Sequence, residues 1–327
     1  MNGPFLVVSQ PRIVKALGRS ISKRLPVILI PDGEKAKTLG TVSRLLDRVA
    51  ASGMTRQSTL IALGGGVVGD VAGFVGSIYM RGIAVVQVPT TLLAQVDSSI
   101  GGKTGVNHRS VKNLVGTFYQ PSLVLSDPHP LKFLSDREYS SGLYESLKYG
   151  VISDPELFES FVTHIDSLRR RDPDAVESMV ARCAEIKAGI VSADEREGDL
   201  RRVLNLGHTV GHALESATNF RLLKHGEAVG YGMIAASRIS AALGRMSGPD
   251  AARVESAVRA IGDLPSLKDV KMAPLVKALQ QDKKVRDGAV HFILPREIGR
   301  VEITRDVPLP LVRETVAALI HESKPRR

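Results

Sequence analysis

Short apolar runs alternate with amphipathic segments over about the first 130 residues of the chain. Strands are predicted at 4–9, 26–31, 58–66, 83–89 and 122–128, and helices at 11–24, 37–53 and 67–79. Strands that alternate with helices are typical of a parallel sheet covered on both faces. The pattern therefore predicts a Rossmann-like parallel-sheet domain over residues 1–135.

From about Asp136 the pattern changes to helical periodicity. Helices are predicted at 137–152, 155–169, 173–193, 202–217, 226–244 and 250–261, followed by one strand at VHFILP. The second half is therefore predicted to be a mostly helical domain over residues 136–327. The expected fold class is α/β plus α.

Composition places the chain among ordinary globular proteins, with 43% apolar and 24% charged residues. No apolar run of about 18 residues is present, so no membrane partner is expected. The start, MNGPFLVVSQPR, lacks the features of a secretory signal. Cys183 is the single cysteine, which excludes an intrachain disulfide and favours a cytoplasmic location.

A formal net charge of +10 allows three interpretations. Nucleic-acid binding is not expected, because the basic residues are scattered and aromatic residues make up only 4% of the chain. A basic cleft would attract a small anionic substrate. A solvated basic surface explains most of the excess positive charge.

A glycine turn follows the third predicted strand and opens a helix. Gly64, Gly65, Gly66 and Gly69 fit G-x-G-x-x-G, and Asp70 follows. Such a turn lets the backbone approach a pyrophosphate at a helix N-terminus. The ordinary dinucleotide fingerprint requires an acidic residue at the end of the next strand, and this chain has none there. The turn is thus a nucleotide site of another layout, or a packing turn.

Three of the eight histidines, His208, His212 and His225, lie within 18 residues of one another, each beside a glycine. His208 and His212 are four residues apart and share one face of a predicted helix. A catalytic metal takes three protein ligands and keeps an open position. From the residues alone any acid could be the third ligand, and Glu145 is one candidate.

Several segments together resemble the 3-dehydroquinate synthase family over nearly the whole chain. They are IPDGEKAK, LGGGVVGDVAGF, MRGIAVVQVPTTLLAQVDSSIGGKTGVNHRSVKNLVGTFYQP, GLYESLKYG, DEREGDLRRVLNLGH, and LNLGHTVGHALE followed by HGEAV. The glycine turn is shared with related metal-dependent polyol dehydrogenases. The PTTLL…VDSSIGGKTGVN block distinguishes the two groups.

The resemblance implies an NAD- and metal-dependent carbon–oxygen lyase of the shikimate pathway to aromatic amino acids. Such an enzyme converts 3-deoxy-D-arabino-heptulosonate 7-phosphate, a small anionic sugar acid, to 3-dehydroquinate and phosphate. The implied steps are transient oxidation by NAD, phosphate elimination, re-reduction and intramolecular aldol closure, without net redox change.

The resemblance also assigns residues. NAD would be bound by Asp32, Gly33, Glu34, Lys35, Ala36, Lys37, Gly64, Gly65, Gly66, Val67, Val68, Gly69, Asp70, Thr90, Thr91, Lys103, Lys112 and the position of Phe133. One zinc or cobalt ion would be bound by Glu145, His208 and His225. Catalysis would use His212, Lys148, Lys103, Asp97 and Arg81, and substrate would contact Asn113, Lys187, Arg201, Asn205 and Lys283 or Lys284.

In such a family Arg81 would complete the phosphate site of a neighbouring subunit, so a homodimer is expected. An alternative interpretation of each matched lysine or arginine is a solvated surface charge. Asp32 and Glu34 have the alternative of capping the following helix.

The chain departs from the family pattern in three places. The strand pair that usually precedes the segment matching FLVVS is missing, which predicts a trimmed sheet or a misassigned start. Gln10 and Arg12 replace an Asp-x-Asn pair that contacts NAD. Phe133-Leu134-Ser135 replaces Thr-Leu-Pro, so a cofactor-contacting threonine has become phenylalanine.

Three alternative functions share the fold. Another sugar-phosphate cyclase would use the same cofactors, but Arg201, Asn205 and His212 match the dehydroquinate-forming pattern. A polyol dehydrogenase would release free NADH. A non-catalytic derivative of the fold would have no need for the metal triad, the lysines or His212.

Overall fold

The computed structural model describes residues 3–17, 25–109, 111–285 and 291–323, and for 280–285 it describes the backbone only. The chain forms two compact units, Met1–Ser135 and Asp136–Arg327. The binding roles expected of the two halves stay predictions. None of the helices in the described ranges combines the length and the apolar character needed to cross a membrane.

The first unit is built on a five-stranded parallel sheet. Its strands are β1 (Phe5–Ser9), β2 (Val27–Leu29), β3 (Thr59–Gly64), β4 (Ala84–Pro89) and β7 (Leu123–Val124), in the order β2-β1-β3-β4-β7. Strands β1, β3 and β4 are almost continuously buried, as expected of a parallel sheet between helices. The predicted parallel sheet is confirmed, although its last strand is shorter than the sequence predicts.

Three helices accompany this sheet: α1 (Pro11–Leu17), α2 (Leu39–Ala51) and α3 (Gly66–Ile78). Helix α3 lies very close to β4, because a Cβ atom at Gly76 would come within 2.2 Å of the Val85 side chain. Only glycine permits this approach, which fixes the position of the helix that begins at the glycine turn.

A hairpin of β5 (Lys103–His108) and β6 (Val111–Phe118) was not predicted from the sequence. Most of β6 is exposed or half-buried, so its apolar residues do not alternate in the way that marks a strand. Short helical turns at Glu34–Ala36, Tyr79–Arg81, Ala94–Ser98 and His129–Phe133 complete the unit.

The second unit is mostly helical, as predicted. Its helices are α4 (Asp136–Ser153), α5 (Pro155–Thr163), α6 (Ile165–Arg169), α7 (Pro173–Ala193), α8 (His208–Ala217), α9 (His225–Ala242), α10 (Gly248–Ile261), α11 (Met272–Val285) and α12 (Leu309–Glu322). A hairpin of β8 (Phe292–Glu297) and β9 (Arg300–Thr304) packs against α9. The prediction of one helix over 202–217 is wrong, because Gly207 adopts a left-handed conformation (φ 79°) between a 3-10 turn (Leu200–Asn205) and α8.

Helix α9 is the centre of the second unit and is buried almost throughout. A Cβ atom at Gly226 would come within 1.9 Å of the Ser141 carbonyl oxygen of α4. A Cβ atom at Gly232 would come within 1.8 Å of the Gly207 oxygen, just before α8. These glycines let α4 and the start of α8 approach α9 at backbone distance, which draws their side chains together.

Candidate active site

Three potential metal ligands converge where α4, α8 and α9 meet. Glu145 Oε1 lies 3.2 Å from His225 Nε2 and 3.6 Å from His208 Nε2. One ligand atom from each residue lies within 4.8 Å of the others. Glu145 is fully buried and both histidines are partly exposed, so the cluster faces a side from which a ligand can enter.

The second nitrogen of each imidazole fixes which nitrogen is available to a cation. His208 Nδ1 lies 3.1 Å from the Leu206 carbonyl oxygen, which can only accept a hydrogen bond, so Nδ1 carries the proton. His225 Nδ1 lies 3.4 Å from Glu215 Oε2. Both Nε2 atoms therefore face Glu145, as in protein sites where an outer group orients the metal-binding histidine.

The two histidines differ in charge. Burial, and then the charge of Lys148, lower the pKa of His208, which keeps it neutral and able to act as a ligand. Burial also lowers the pKa of His225, but hydrogen bonds to Glu145 and Glu215 outweigh it and raise the pKa to about 10. The pair of carboxylates thus favours positive charge at this point. One carboxylate and two imidazole nitrogens are a donor set that fits zinc or cobalt.

Lys148 links the cluster to the 3-10 turn at Leu200–Asn205. Its ammonium contacts Glu145 Oε2 at 2.6 Å and donates to the Leu204 carbonyl at 2.7 Å, with the side chain almost fully buried. Arg201 and Asn205 lie on this turn, and Arg201 is buried and donates to the Glu195 carbonyl. The turn therefore brings two predicted substrate residues beside the helix that carries Glu145.

The remaining predicted residues of this unit have different surroundings. Lys187 is buried on α7, which packs against both α4 and the 3-10 turn. His212 is exposed on α8, with its ring centroid 5.2 Å from that of His208. Lys283 and Lys284 fall on α11, where the side chains lie outside the described residues.

A second cluster of predicted residues forms within the first unit. Lys37 is buried, and its ammonium contacts Asp70 Oδ2 at 2.5 Å and the Asn113 side-chain oxygen. Asn107 donates to Glu34 Oε1 at 2.9 Å and accepts from the Asn113 backbone N–H at 2.9 Å. These contacts join the IPDGEKAK segment, the helix after the glycine turn and the β5–β6 hairpin.

The glycine turn has the packing role considered from the sequence, and its role as a nucleotide site stays a prediction. A Cβ atom at Gly64 would meet the Val68 side chain at 2.4 Å, and one at Gly65 would meet Thr91 at 2.9 Å, so the glycines are needed for packing. Helix α3 then begins at Gly66 with no side-chain cap. An uncapped helix N-terminus presents N–H groups to an anion. Val68 is itself fully buried, so its contact with a cofactor stays a prediction.

Several predicted residues lie at the surface of the first unit. Lys103, Lys112 and Arg81 are exposed, Asp97 is partly exposed in the turn Ala94–Ser98, and Phe133 is 50% exposed. The buried Thr90 donates its backbone N–H to the Gly64 carbonyl, beside the glycine turn.

The capping alternative for Asp32 and Glu34 is wrong, because Thr38 caps α2. Asp32 instead lies 3.8 Å from Arg12, one of the two residues that depart from the family pattern. The other, Gln10, is buried and donates to the Pro31 carbonyl at 2.8 Å. Both departures are thus used to hold the segment that carries Asp32.

Two residues of the clusters were not assigned from the sequence. Glu215 ends the LNLGHTVGHALE segment, and Asn107 ends KTGVN, so both stood inside segments that carried the resemblance. Their roles are contacts between distant elements, which local pattern does not encode.

Fold and site together define a class of protein: a Rossmann-like unit whose glycine turn opens a helix without a side-chain cap, followed by a helical unit with a carboxylate–histidine cluster. Residues 27–141 match the 3-dehydroquinate synthase N-terminal model, and residues 142–285 match the C-terminal model. The chain belongs to the 3-dehydroquinate synthase family. A 3-dehydroquinate synthase of Koribacter versatilis is 52% identical over 276 residues, which cover 84% of this chain and 75% of that protein.

Solved structures of other cyclases share the fold. A 2-epi-5-epi-valiolone synthase of Streptomyces hygroscopicus with bound NAD+ and Zn2+ is 31% identical, with a TM-score of 0.88, covering 97% of this chain and 91% of that one. A 2-deoxy-scyllo-inosose synthase complexed with carbaglucose-6-phosphate, NAD+ and Co2+ is 30% identical, with a TM-score of 0.85, covering 96% and 90%.

Proposed function

We propose that this protein is a 3-dehydroquinate synthase, which converts 3-deoxy-D-arabino-heptulosonate 7-phosphate to 3-dehydroquinate and phosphate. The observation that carries the proposal is the Glu145–His208–His225 cluster in a chain that matches this family over residues 27–285. The cofactors are NAD and one divalent ion, zinc or cobalt. When bound, NAD accepts and returns a hydride, and the ion lowers the pKa of a coordinated substrate hydroxyl.

Residues of the second unit handle the substrate. Lys148 places two of its three N–H groups on Glu145 and the Leu204 carbonyl, and the third can be offered to a substrate oxygen. Arg201 and Lys187 supply buried positive charge suited to a carboxylate or phosphate. His212 is exposed beside His208 and is suited to move a proton during elimination and ring closure.

Residues of the first unit are assigned to the cofactor. Lys37 and Asp70 meet beside the helix that the glycine turn opens, where the uncapped N-terminus favours a pyrophosphate. Asn113 contacts the same lysine and is assigned to the substrate. Thr90 and Thr91 flank the turn at the end of β4.

A phosphate-release assay with the seven-carbon substrate, NAD and zinc or cobalt tests this function. We expect phosphate and 3-dehydroquinate in equal amounts, with no accumulation of NADH. Stoichiometric NADH would indicate a polyol dehydrogenase instead. Turnover of another phosphorylated sugar in preference would indicate another cyclase, which the 30–31% identity to such enzymes against 52% to a 3-dehydroquinate synthase disfavours.

The assignment of the metal site has its own test. We expect His208→Ala to lose the bound ion, because one of three ligands is removed. The ion content of the purified protein is measured by elemental analysis, with His321→Ala at an exposed position as the control. Full metal content in His208→Ala would contradict the assignment.

A cytoplasmic location and a homodimer complete the proposal. The location is supported by the presence of a single cysteine, Cys183, which is buried. The dimer is supported by the match of the MRGI segment, in which Arg81 is exposed and can reach outside its own chain.

A further inference from the structure

Glu215 is a buried carboxylate at the back of the metal-ligand cluster. It lies near the C-terminal end of α8, and its Oε2 atom is 3.4 Å from His225 Nδ1. The other nitrogen of the same ring, Nε2, lies 3.2 Å from Glu145 Oε1. The His225 imidazole therefore spans two carboxylates that come from two different helices.

The position is unfavourable for an acid unless a partner compensates. Burial removes the hydration of the carboxylate, which costs several kcal/mol without a partner. The C-terminal end of a helix carries partial negative charge, which opposes an acidic side chain there. An N–H donor at His225 Nδ1 offsets both effects.

His208 and His225 are oriented by different means. The Nδ1 atom of His208 is held by the Leu206 backbone carbonyl, which no substitution removes. The Nδ1 atom of His225 faces the Glu215 side chain instead. Of these two histidines, His225 is therefore the one whose ring orientation depends on a side chain.

We propose that Glu215 is a positioning residue for the metal ligand His225. Its carboxylate accepts the Nδ1–H hydrogen bond, which leaves the lone pair on Nε2 and turns that atom towards Glu145. Carboxylates that orient a metal-binding histidine contribute about 10- to 100-fold to metal affinity. This inference rests on the proposed function, because the bound ion is the one assigned there to Glu145, His208 and His225.

The alternative is that Glu215 is itself a ligand. His212, Glu215 and His225 form a second group whose ligand atoms lie within 4.8 Å of one another. In that case the protein would hold a second ion that needs Glu215, and the stoichiometry would distinguish the two roles.

The test uses the full chain as wild type, Glu215→Gln and Glu215→Ala. The matched control is Glu255→Gln, a partly buried carboxylate paired with Arg238 and Arg259. Zinc and cobalt affinities are measured by competition with a chelator, and the visible absorption of the cobalt form reports the ligand geometry. The unfolding of the metal-free proteins is followed in parallel.

We expect Glu215→Ala to bind either ion about 10- to 100-fold more weakly, with an altered cobalt spectrum. Glu215→Gln should lose less metal affinity than Glu215→Ala, because its amide oxygen still accepts a hydrogen bond from Nδ1–H. The Glu255→Gln control should match wild type in metal affinity and in the cobalt spectrum. If Glu215→Gln and Glu215→Ala bind as tightly as wild type, with the same spectrum, the inference is wrong. A fall from two ions to one would also overturn it, and a wild-type chain that binds neither ion contradicts the proposed function itself.

Discussion

Glu145 organises the charges of the candidate active site. Its two oxygens face His225, His208 and Lys148, and it has no exposed surface. With Glu215 and a protonated His225, the cluster holds two negative and two positive side chains. Such balance is needed for buried charges to be tolerated. A divalent ion at the Nε2 atoms would replace the proton on His225 and leave a net positive site for an anionic substrate.

His212 is the residue on which proton transfer is predicted to depend. Its ring lies 5.2 Å from that of His208 and 5.9 Å from that of His225, and it is the most exposed of the three. We expect His212→Ala to lower turnover by about 10² to 10⁴, as for a general acid–base residue, with the ion retained. Turnover number and metal content are measured on the same preparation.

The control for this substitution is His321→Ala, which removes an exposed histidine of α12. An unchanged turnover number would remove His212 from the mechanism. Loss of the ion would instead make it a ligand.

Phe133 is one of the positions at which this chain departs from the family pattern. Its ring is 50% exposed, with Lys132 Nζ 5.0 Å from the ring centroid and the His129 ring 6.3 Å away. The hypothesis is that the exposed ring stacks on the adenine of NAD, since base–aromatic stacking is worth about 1–3 kcal/mol. Phe133→Ala should therefore weaken NAD binding, and Phe133→Thr should cost less because its hydroxyl restores one hydrogen bond.

Equilibrium titration of NAD against the three proteins decides between these outcomes. Equal dissociation constants would place Phe133 away from the cofactor.

At the scale of elements, Asn107 holds the β5–β6 hairpin to the IPDGEKAK segment. Its amide donates to Glu34 and accepts from the backbone of Asn113, which has a left-handed conformation (φ 52°). Asparagine supplies both functions from one side chain. The hairpin therefore couples a predicted cofactor residue to a predicted substrate residue.

We expect Asn107→Ala to weaken NAD binding and to raise the KM for the substrate, because both partners lose their hydrogen bond. One such bond is worth about 0.5–1.5 kcal/mol, or about threefold to tenfold in affinity. Asn107→Asp keeps the acceptor but places a like charge beside Glu34, so it should impair NAD binding more than substrate binding. NAD titration and steady-state kinetics measure the two effects separately.

Asn219→Ala is the control, since it removes an asparagine side chain from the second unit, outside the contacts that Asn107 makes with Glu34 and Asn113. The coupling is absent if NAD affinity and KM in Asn107→Ala equal those of wild type.

The hydrophobic pattern of the sequence predicts those elements in which buried positions follow a regular helix or strand period. The buried strands β1, β3 and β4 and the helices α4, α7, α9 and α10 were predicted close to their observed bounds. The predicted helix over 155–169 is interrupted at His164, and α11, α12 and β9 were not predicted. The break at Gly207 depends on its contact with α9, which lies far away in the sequence.

The candidate site shows the same limit. Pattern placed His208 and His212 on one helical face, and the resemblance supplied Glu145 and His225 as the metal ligands that accompany His208. The contact between Gly226 and the Ser141 carbonyl, which brings α4 to α9, cannot be read from periodicity. The proposed role of Glu215 depends on a second contact of this kind, the approach of Gly207 to Gly232 that brings α8 to α9.

For the molecule as a whole, Arg81 is the residue through which two subunits are predicted to cooperate. Met80 and Arg81 both have left-handed backbones (φ 50° and 67°), followed by Gly82 (φ 121°). Each such non-glycine residue costs about 1–3 kcal/mol, and strain of this kind tends to occur at functional sites. The strained turn presents an exposed arginine, which suits a phosphate group.

Co-expression of an Arg81→Ala subunit with a His212→Ala subunit tests whether Arg81 acts across the dimer. Each homodimer should be nearly inactive. In the mixed dimer, the Arg81→Ala subunit keeps its own His212 and receives Arg81 from its partner, so one complete site forms. With random pairing, half of the dimers are mixed and each has one of two sites, so we expect about a quarter of wild-type activity. Pairing Arg81→Ala with the Arg81→Ala/His212→Ala double variant is the control and should recover none. If the first mixture also recovers none, Arg81 serves its own subunit, and an Arg81→Ala homodimer as active as wild type would place Arg81 outside the phosphate site.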